Sequence, residues 1–167
     1  ATKPTDVVWF DDALPAGAIG FAENDRWNWV STNPTPFSGD RAHQAEHAPG
    51  RHHHFFAFAM TPLVVNSGDT LFAYVHLDPA SPPKQIMLTW LAGTWEHRAY
   101  WGENIITEGA DNTAARRAMG PLPPPGRWVR LEVPASAVGL ENQPVNGMGF
   151  TLFDGRVTWD RVGKSGP

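Results

Sequence analysis

The densest run of chemically able side chains is Trp90-Leu91-Ala92-Gly93-Thr94-Trp95-Glu96-His97-Arg98-Ala99-Tyr100-Trp101-Gly102. Trp90, Trp95, His97, Tyr100 and Trp101 carry flat rings with polar tips, and Glu96 and Arg98 stand among them. A sugar ring presents a face of C–H bonds and a rim of hydroxyls. Aromatic surface flanked by charged or amide groups grips both at once. In an extended chain, side chains alternate, which sets Trp95, His97, Ala99 and Trp101 on one face and Glu96, Arg98 and Tyr100 on the other. Trp95 and Trp101 are then too far apart to stack on one ring and are expected to meet successive units of a chain, with His97 bonding hydroxyls. Arg98 and Tyr100 form the alternative binding face. The same alternation also allows one of these faces to be core, where Trp is common.

A second group is acidic: Asp11 and Asp12 early, Asp40 after Ser38-Gly39, and Asp160 near the end. Where first and last strands are neighbours, such carboxylates can meet, and Ca²⁺ accepts six to eight oxygens of this kind. Solvated loop acids, or Asp160 paired with an Arg, would look the same in sequence.

Histidines form a third group. His43-Gln44-Ala45-Glu46-His47 matches the H-x-x-E-H string of inverted zincins, which needs a helix to bring both imidazoles to one side. The flanks Ser38-Gly39 and Pro49-Gly50 punctuate a short strand instead, so a working zinc site is not expected. His52-His53-His54 contains an H-x-H pair as in metal-binding cupins, but Phe55-Phe56-Ala57-Phe58 supplies no following acid. One buried and two exposed imidazoles are expected there. Glu96, Glu103 and Glu108 lie near the aromatic run without forming a recognisable pair across a cleft. The chain has no Cys, no Gly-x-Ser-x-Gly elbow and no phosphate-cradling glycine loop. A metal-dependent hydrolase is the weakest of the readings.

The elements that must position these groups read as strands. Apolar runs with period-two alternation occupy residues 7–10, 27–30, 41–46, 53–60, 70–77, 85–91, 95–101, 128–133, 147–153 and 157–162. In 70–77, Leu71, Ala73, Val75 and Leu77 are expected to line a core while Phe72, Tyr74 and His76 point away. Asn66-Ser67-Gly68-Asp69 and Phe153-Asp154-Gly155-Arg156 read as turns. Residues 134–140 allow a turn or two of helix, and 104–125 reads as a long loop packed over one end. The pattern predicts an all-β fold: one two-sheet antiparallel β-sandwich, a jelly roll, spanning 1–167. Stretches 1–5 and 163–167 read as short linkers, and other domains of a longer chain are the expected neighbours.

Composition agrees. Of 167 residues 41% are hydrophobic and 18% charged, and 16 Gly with 16 Pro favour many turns over long helices. A net charge of −4 lacks the basic stripe of a nucleic-acid binder, and no apolar run is long enough for membrane insertion as a helix.

The early Asp pair, the Ser38-Gly39 turn, the Ser67-Gly68-Asp69 turn and the closing Thr158-Trp159-Asp160-Arg161-Val162 together resemble the galactose-binding-like β-sandwich of carbohydrate-binding modules from secreted bacterial proteins. The resemblance implies a structural calcium held by Asp11 or Asp12, by Asp40 and by Asp160. It also implies a polysaccharide or oligosaccharide partner, an extracellular or cell-surface location and no catalysis. A structural or adhesive spacer without a small ligand is the alternative.

Overall fold

The structure is a computed structural model and describes residues 2–167. Its strands, in chain order, are β1 (Asp6–Phe10), β2 (Ile19–Glu23), β3 (Asn28–Val30), β4 (Ala42–Gln44), β5 (Arg51–Ala57), β6 (Leu63–Val64) and β7 (Thr70–Leu77). There follow β8 (Gln85–Leu91), β9 (Arg98–Gly102), β10 (Arg117–Gly120), β11 (Trp128–Pro134), β12 (Pro144–Val145), β13 (Gly147–Phe153) and β14 (Val157–Ser165). Sheet I runs β11-β7-β14-β4-β3, with β1 also paired to β14, and sheet II runs β10-β9-β8-β13-β5-β2. Pairing is antiparallel except between β10 and β9. The chain is thus the all-β sandwich its alternating pattern predicts.

One apolar core fills the space between the sheets. Leu71, Val75 and Leu77 of β7 face Leu88 and Trp90 of β8 and Phe150 of β13, all at most 1% exposed. Strand β7 departs from expectation on its other side, where Phe72 and Tyr74 are also buried. A roof explains it: Phe37 lies flat on Tyr74 with ring centroids 3.8 Å apart, and the Arg130 guanidinium sits 4.1 Å over Phe72.

The C-terminal strand changes partners along its length. Thr158 and Trp159 pair with β4, whereas residues from Val162 to Ser165 pair with β1. A bulge between Asp160 and Gly163, with Arg161 at φ 47, makes the switch. Position 163 admits no side chain, because a Cβ there would lie 2.0 Å from the Val7 carbonyl oxygen. Residues 163–165, expected as linker, are therefore buried strand. Lys164 makes an ion pair with Asp69 at 2.7 Å there.

Other boundaries shift for local reasons. Strands β2, β6, β10 and β12 carry too little apolar periodicity to show in sequence; β2 is exposed throughout. Residues 134–140 form a single 3-10 turn, Ala135–Val138, closed by Gly139 at φ 71. The loop 104–125 contains β10.

Candidate functional site

Register alone lays out the outer face of sheet II. Phe21, Phe55, Gly149, Thr89 and Arg98 form one row across β2, β5, β13, β8 and β9. Glu23, His53, Thr151, Met87 and Tyr100 form the next. Alternation sends the intervening residues, among them Phe56, Phe150, Leu88 and Ala99, into the core. Gly149 carries no side chain at the centre of the first row, which leaves a hollow between Phe55 and Thr89. A cavity of about 240 Å³ opens there, walled by Trp95, Arg98 and Glu108.

A hydrogen-bonded relay crosses one side of this cavity. Arg51 Nη2 donates to Glu108 Oε1 and to His53 Nδ1, the latter at 3.2 Å, and His53 Nε2 meets Glu23 Oε1 at 2.8 Å. Arginine can only donate, so His53 Nδ1 is the acceptor and Nε2–H donates to Glu23. The imidazole is therefore neutral. Burial, reinforced by the Arg51 charge, holds its pKa below the usual histidine value. The hydrogen bond from His53 in turn lowers the Glu23 carboxyl. Arg98 Nη1 bonds Glu96 Oε2 at 2.9 Å. Aromatic surface continues along the rim: Phe21 stacks on Phe55 at 5.2 Å and 19°, and Trp95 meets Phe55 edge-on at 5.7 Å and 86°.

The residues singled out from sequence separate here. Trp95 and Arg98 line the cavity together, although alternation puts them on opposite faces. Residues 92–97 are not strand: Ala92 bridges Thr94, and the His97 N–H closes a tight turn onto the Trp95 carbonyl at 2.8 Å. That turn breaks the period-two phase. Trp101 is 7% exposed and belongs to the core, so the expectation of a second platform there is corrected. His97 donates through Nδ1 to the Val138 carbonyl at 2.7 Å, away from the cavity. Tyr100 shares the outer face but is covered, packed with Met87 and Ile106. Sequence reading missed Glu23, Arg51, His53, Phe55, Thr89 and Glu108. The alternation Arg51-His53-Phe55 against His52-His54-Phe56 was the available signal.

Of the four aspartates, two meet. Ser38 bridges them, donating Oγ–H to Asp11 Oδ2 at 2.7 Å and N–H to Asp160 Oδ2 at 3.0 Å. Burial, then the Asp11 carboxyl beside it, pushes Asp160 up to about 8, and Asp11 Oδ1 is buried without a hydrogen-bond partner. Asp160 is the last residue of β14 in register before the bulge. Two crowded carboxylates with a spare oxygen suit a hard cation as well as a shared proton. Asp12 is engaged otherwise, its Oδ1 accepting the N–H groups of Asp40 and Arg41, each at 3.0 Å. Asp40 is exposed. Of the four expected ligands only Asp11 and Asp160 come together, and no group of three or more acidic, His or Cys ligands forms among the described residues.

The histidine strings resolve differently from expectation. His43 is buried on β4 while His47 is exposed and bonded to Ser81 at 2.6 Å, so H-x-x-E-H does not converge. Two imidazoles of the triplet, His52 and His54, are fully buried and only His53 reaches the face. Asp25 Oδ2 lies 3.1 Å from His54 Nδ1, and His54 Nε2 lies 2.8 Å from His43 Nδ1. Burial would raise Asp25, but His52, His54 and the Glu46 N–H, 2.6 Å away, hold it well below the carboxylate range. With Asp25 ionised, each imidazole donates toward it, and the chain of bonds links sheet I to sheet II through the core.

No protein-family model matches the sequence, and no curated protein is similar to it. Solved structures do share the fold. A carbohydrate-binding module of the β-sandwich superfamily, described in connection with promiscuous specificity, aligns with a TM-score of 0.57 at 14% identity over 98% of this chain and 63% of that one. This chain thus spans under two thirds of that chain. The family 11 carbohydrate-binding module from Clostridium thermocellum, in complex with a β-1,3-1,4-mixed-linked tetrasaccharide, aligns at 0.53 and 9% identity over 98% and 97%. The K2 cleaved adhesin domain of Lys-gingipain aligns at 0.51 and 12% identity over 97% and 98%. The fold defines the class: a β-sandwich of the architecture found in carbohydrate-binding modules.

Proposed function

We propose that the chain is a non-catalytic carbohydrate-binding module whose ligand face is the outer side of sheet II. The supporting observation is the cavity where Trp95 and Phe55 supply ring surface beside the fixed charges of Arg51, Glu108 and Glu23. Carboxylates accept from sugar hydroxyls and the guanidinium donates to them, while the flat faces take the C–H side. Calcium bound by Asp11 and Asp160, with Ser38 between them, ties the first strand to the last and touches no sugar. The module acts outside a bacterial cell as part of a larger chain; no helix of the described residues is long and apolar enough to cross a membrane. Affinity electrophoresis against a panel of soluble polysaccharides tests the reading: retardation by at least one, lost in Trp95→Ala, is expected. A folded protein retarded by none overturns it.

The likeness to an adhesin domain favours a second reading, a structural or adhesive spacer without a small ligand. That reading expects Trp95→Ala to leave every binding measurement unchanged.

A further inference from the structure

Resting on the carbohydrate-binding reading, we infer that this face takes the end of a neutral glycan chain, a terminal pyranose, rather than an internal run of units. Internal recognition needs a groove open at both sides and aromatic platforms spaced along it. Neither is present at this cavity.

The β8–β9 side is closed. Met87 and Tyr100, which register places in the same outer row as His53, are 0% and 6% exposed. Ile106 and Phe153 pack over them. This wall is fixed in place: Gln85 Oε1 accepts the N–H groups of Ile105 and Ile106 at 2.8 and 2.9 Å. Arg116 ties Asn104 and the Ile106 carbonyl from the other side of the loop. Glu108 stands at its edge, over the cavity. A chain entering past Phe21 and Phe55 therefore runs into the wall after its last unit.

Size and platform agree with one unit. The cavity of about 240 Å³ falls below the roughly 300–1,000 Å³ typical of pockets for drug-sized ligands. Ring surface around the cavity is confined to Trp95, Phe55 and Phe21, with Phe55 touching each of the other two, and Trp101 in the core provides no second platform. Charge sets the class of sugar. Arg51 is matched by Glu108 and Arg98 by Glu96, and His53 is neutral. Among the described residues no cation on this face is left uncompensated for a uronate or sulfate, and Glu23, 66% exposed on its side chain, repels one.

Isothermal titration with methyl pyranosides and with cello-, xylo- and β-1,4-galacto-oligosaccharides from dimer to hexamer provides the test. For the sugar that binds, affinity is expected to change by less than about threefold from dimer to hexamer. Polymers of different length are expected to bind one module per chain end. Affinity climbing about tenfold or more with added units, or many modules bound along one chain, overturns end recognition while leaving carbohydrate binding intact. Tighter binding of polygalacturonate or a sulfated glycan overturns the neutral class. Absence of binding to every glycan by folded protein removes the carbohydrate-binding reading, and this inference with it.

Discussion

Each main sheet has six strands, one face in the core and one turned outward, yet the outward faces are used in opposite ways. On sheet I the aromatic and charged groups satisfy one another. Phe37 covers Tyr74, and Arg130 spans Phe72 and makes two 2.9 Å bonds to Asp6 with both side chains under 10% exposed. On sheet II, Phe21 is 40% exposed, and Trp95 and Phe55 stay half-open above a row interrupted by Gly149. Cavity size does not separate the two faces. Sheet I also carries a hollow of about 270 Å³, near Gln44, His76 and Arg156, but no Phe, Tyr or Trp lines it. A polar hollow can hold water; ring surface kept open to solvent at hydrophobic cost is the feature that asks for a ligand.

The largest effect is expected where the two sheets are joined. Asp25→Ala strips a buried charge from His54 and from two backbone N–H groups, and urea unfolding should show a loss of roughly 3–5 kcal/mol. A loss below about 1 kcal/mol would mean that this buried relay does not hold the sheets together.

A paired substitution sharpens the contrast between faces. Phe37→Ala should lower stability by about 1–3 kcal/mol, as its ring is only partly buried, and leave glycan affinity unchanged. Trp95→Ala should lower affinity at least about tenfold, ~1.4 kcal/mol, with little change in the unfolding midpoint. The reverse pattern would move the ligand face to sheet I.

Acid should act through the same relay. Burial, and next to it His54, holds His43 well below its usual value of 6.5. The unfolded chain then binds the proton more tightly than the folded one. Stability from this group is complete above about pH 6.5 and declines as pH falls below it. Asp160, raised to about 8, gains stability by protonation over the same window, so the decline is read as a difference: from pH 8 down to 5 the unfolding free energy of the parent should fall relative to that of His43→Phe. The same pH dependence in parent and variant would contradict the buried neutral imidazole.

The smallest effect is expected at the carboxylate pair. Removing calcium with a chelator should lower the melting temperature by a few degrees, by linkage, and Asp160→Asn should abolish that sensitivity. An unchanged melting temperature on chelation would leave Asp11 and Asp160 sharing a proton alone.

Much of this was legible in the residues. Period-two runs such as 70–77 and 147–153 determined a two-sheet sandwich, because alternation admits few other ways to bury one face. Turn chemistry at Asp154 and Gly155, at φ 62 and 73, fixed the tight reversal that carries the chain from β13 in sheet II to β14 in sheet I. The meeting of an early Asp with Asp160 was one of the arrangements the order of the chain allowed. What sequence could not decide was which aromatic residues stay open. That depends on which face each strand turns inward and on what covers the other. Trp101 lost its face to the core and Tyr100 to the loop around Ile106. Trp95 gained its place only because a tight turn at residues 95–97 reset the alternation. Glu23, Glu108 and the Arg51–His53 pair of β5 come from separate stretches, and only tertiary registry brings them to one cavity. Side-chain period is a local property, whereas exposure is set by the neighbours that folding supplies.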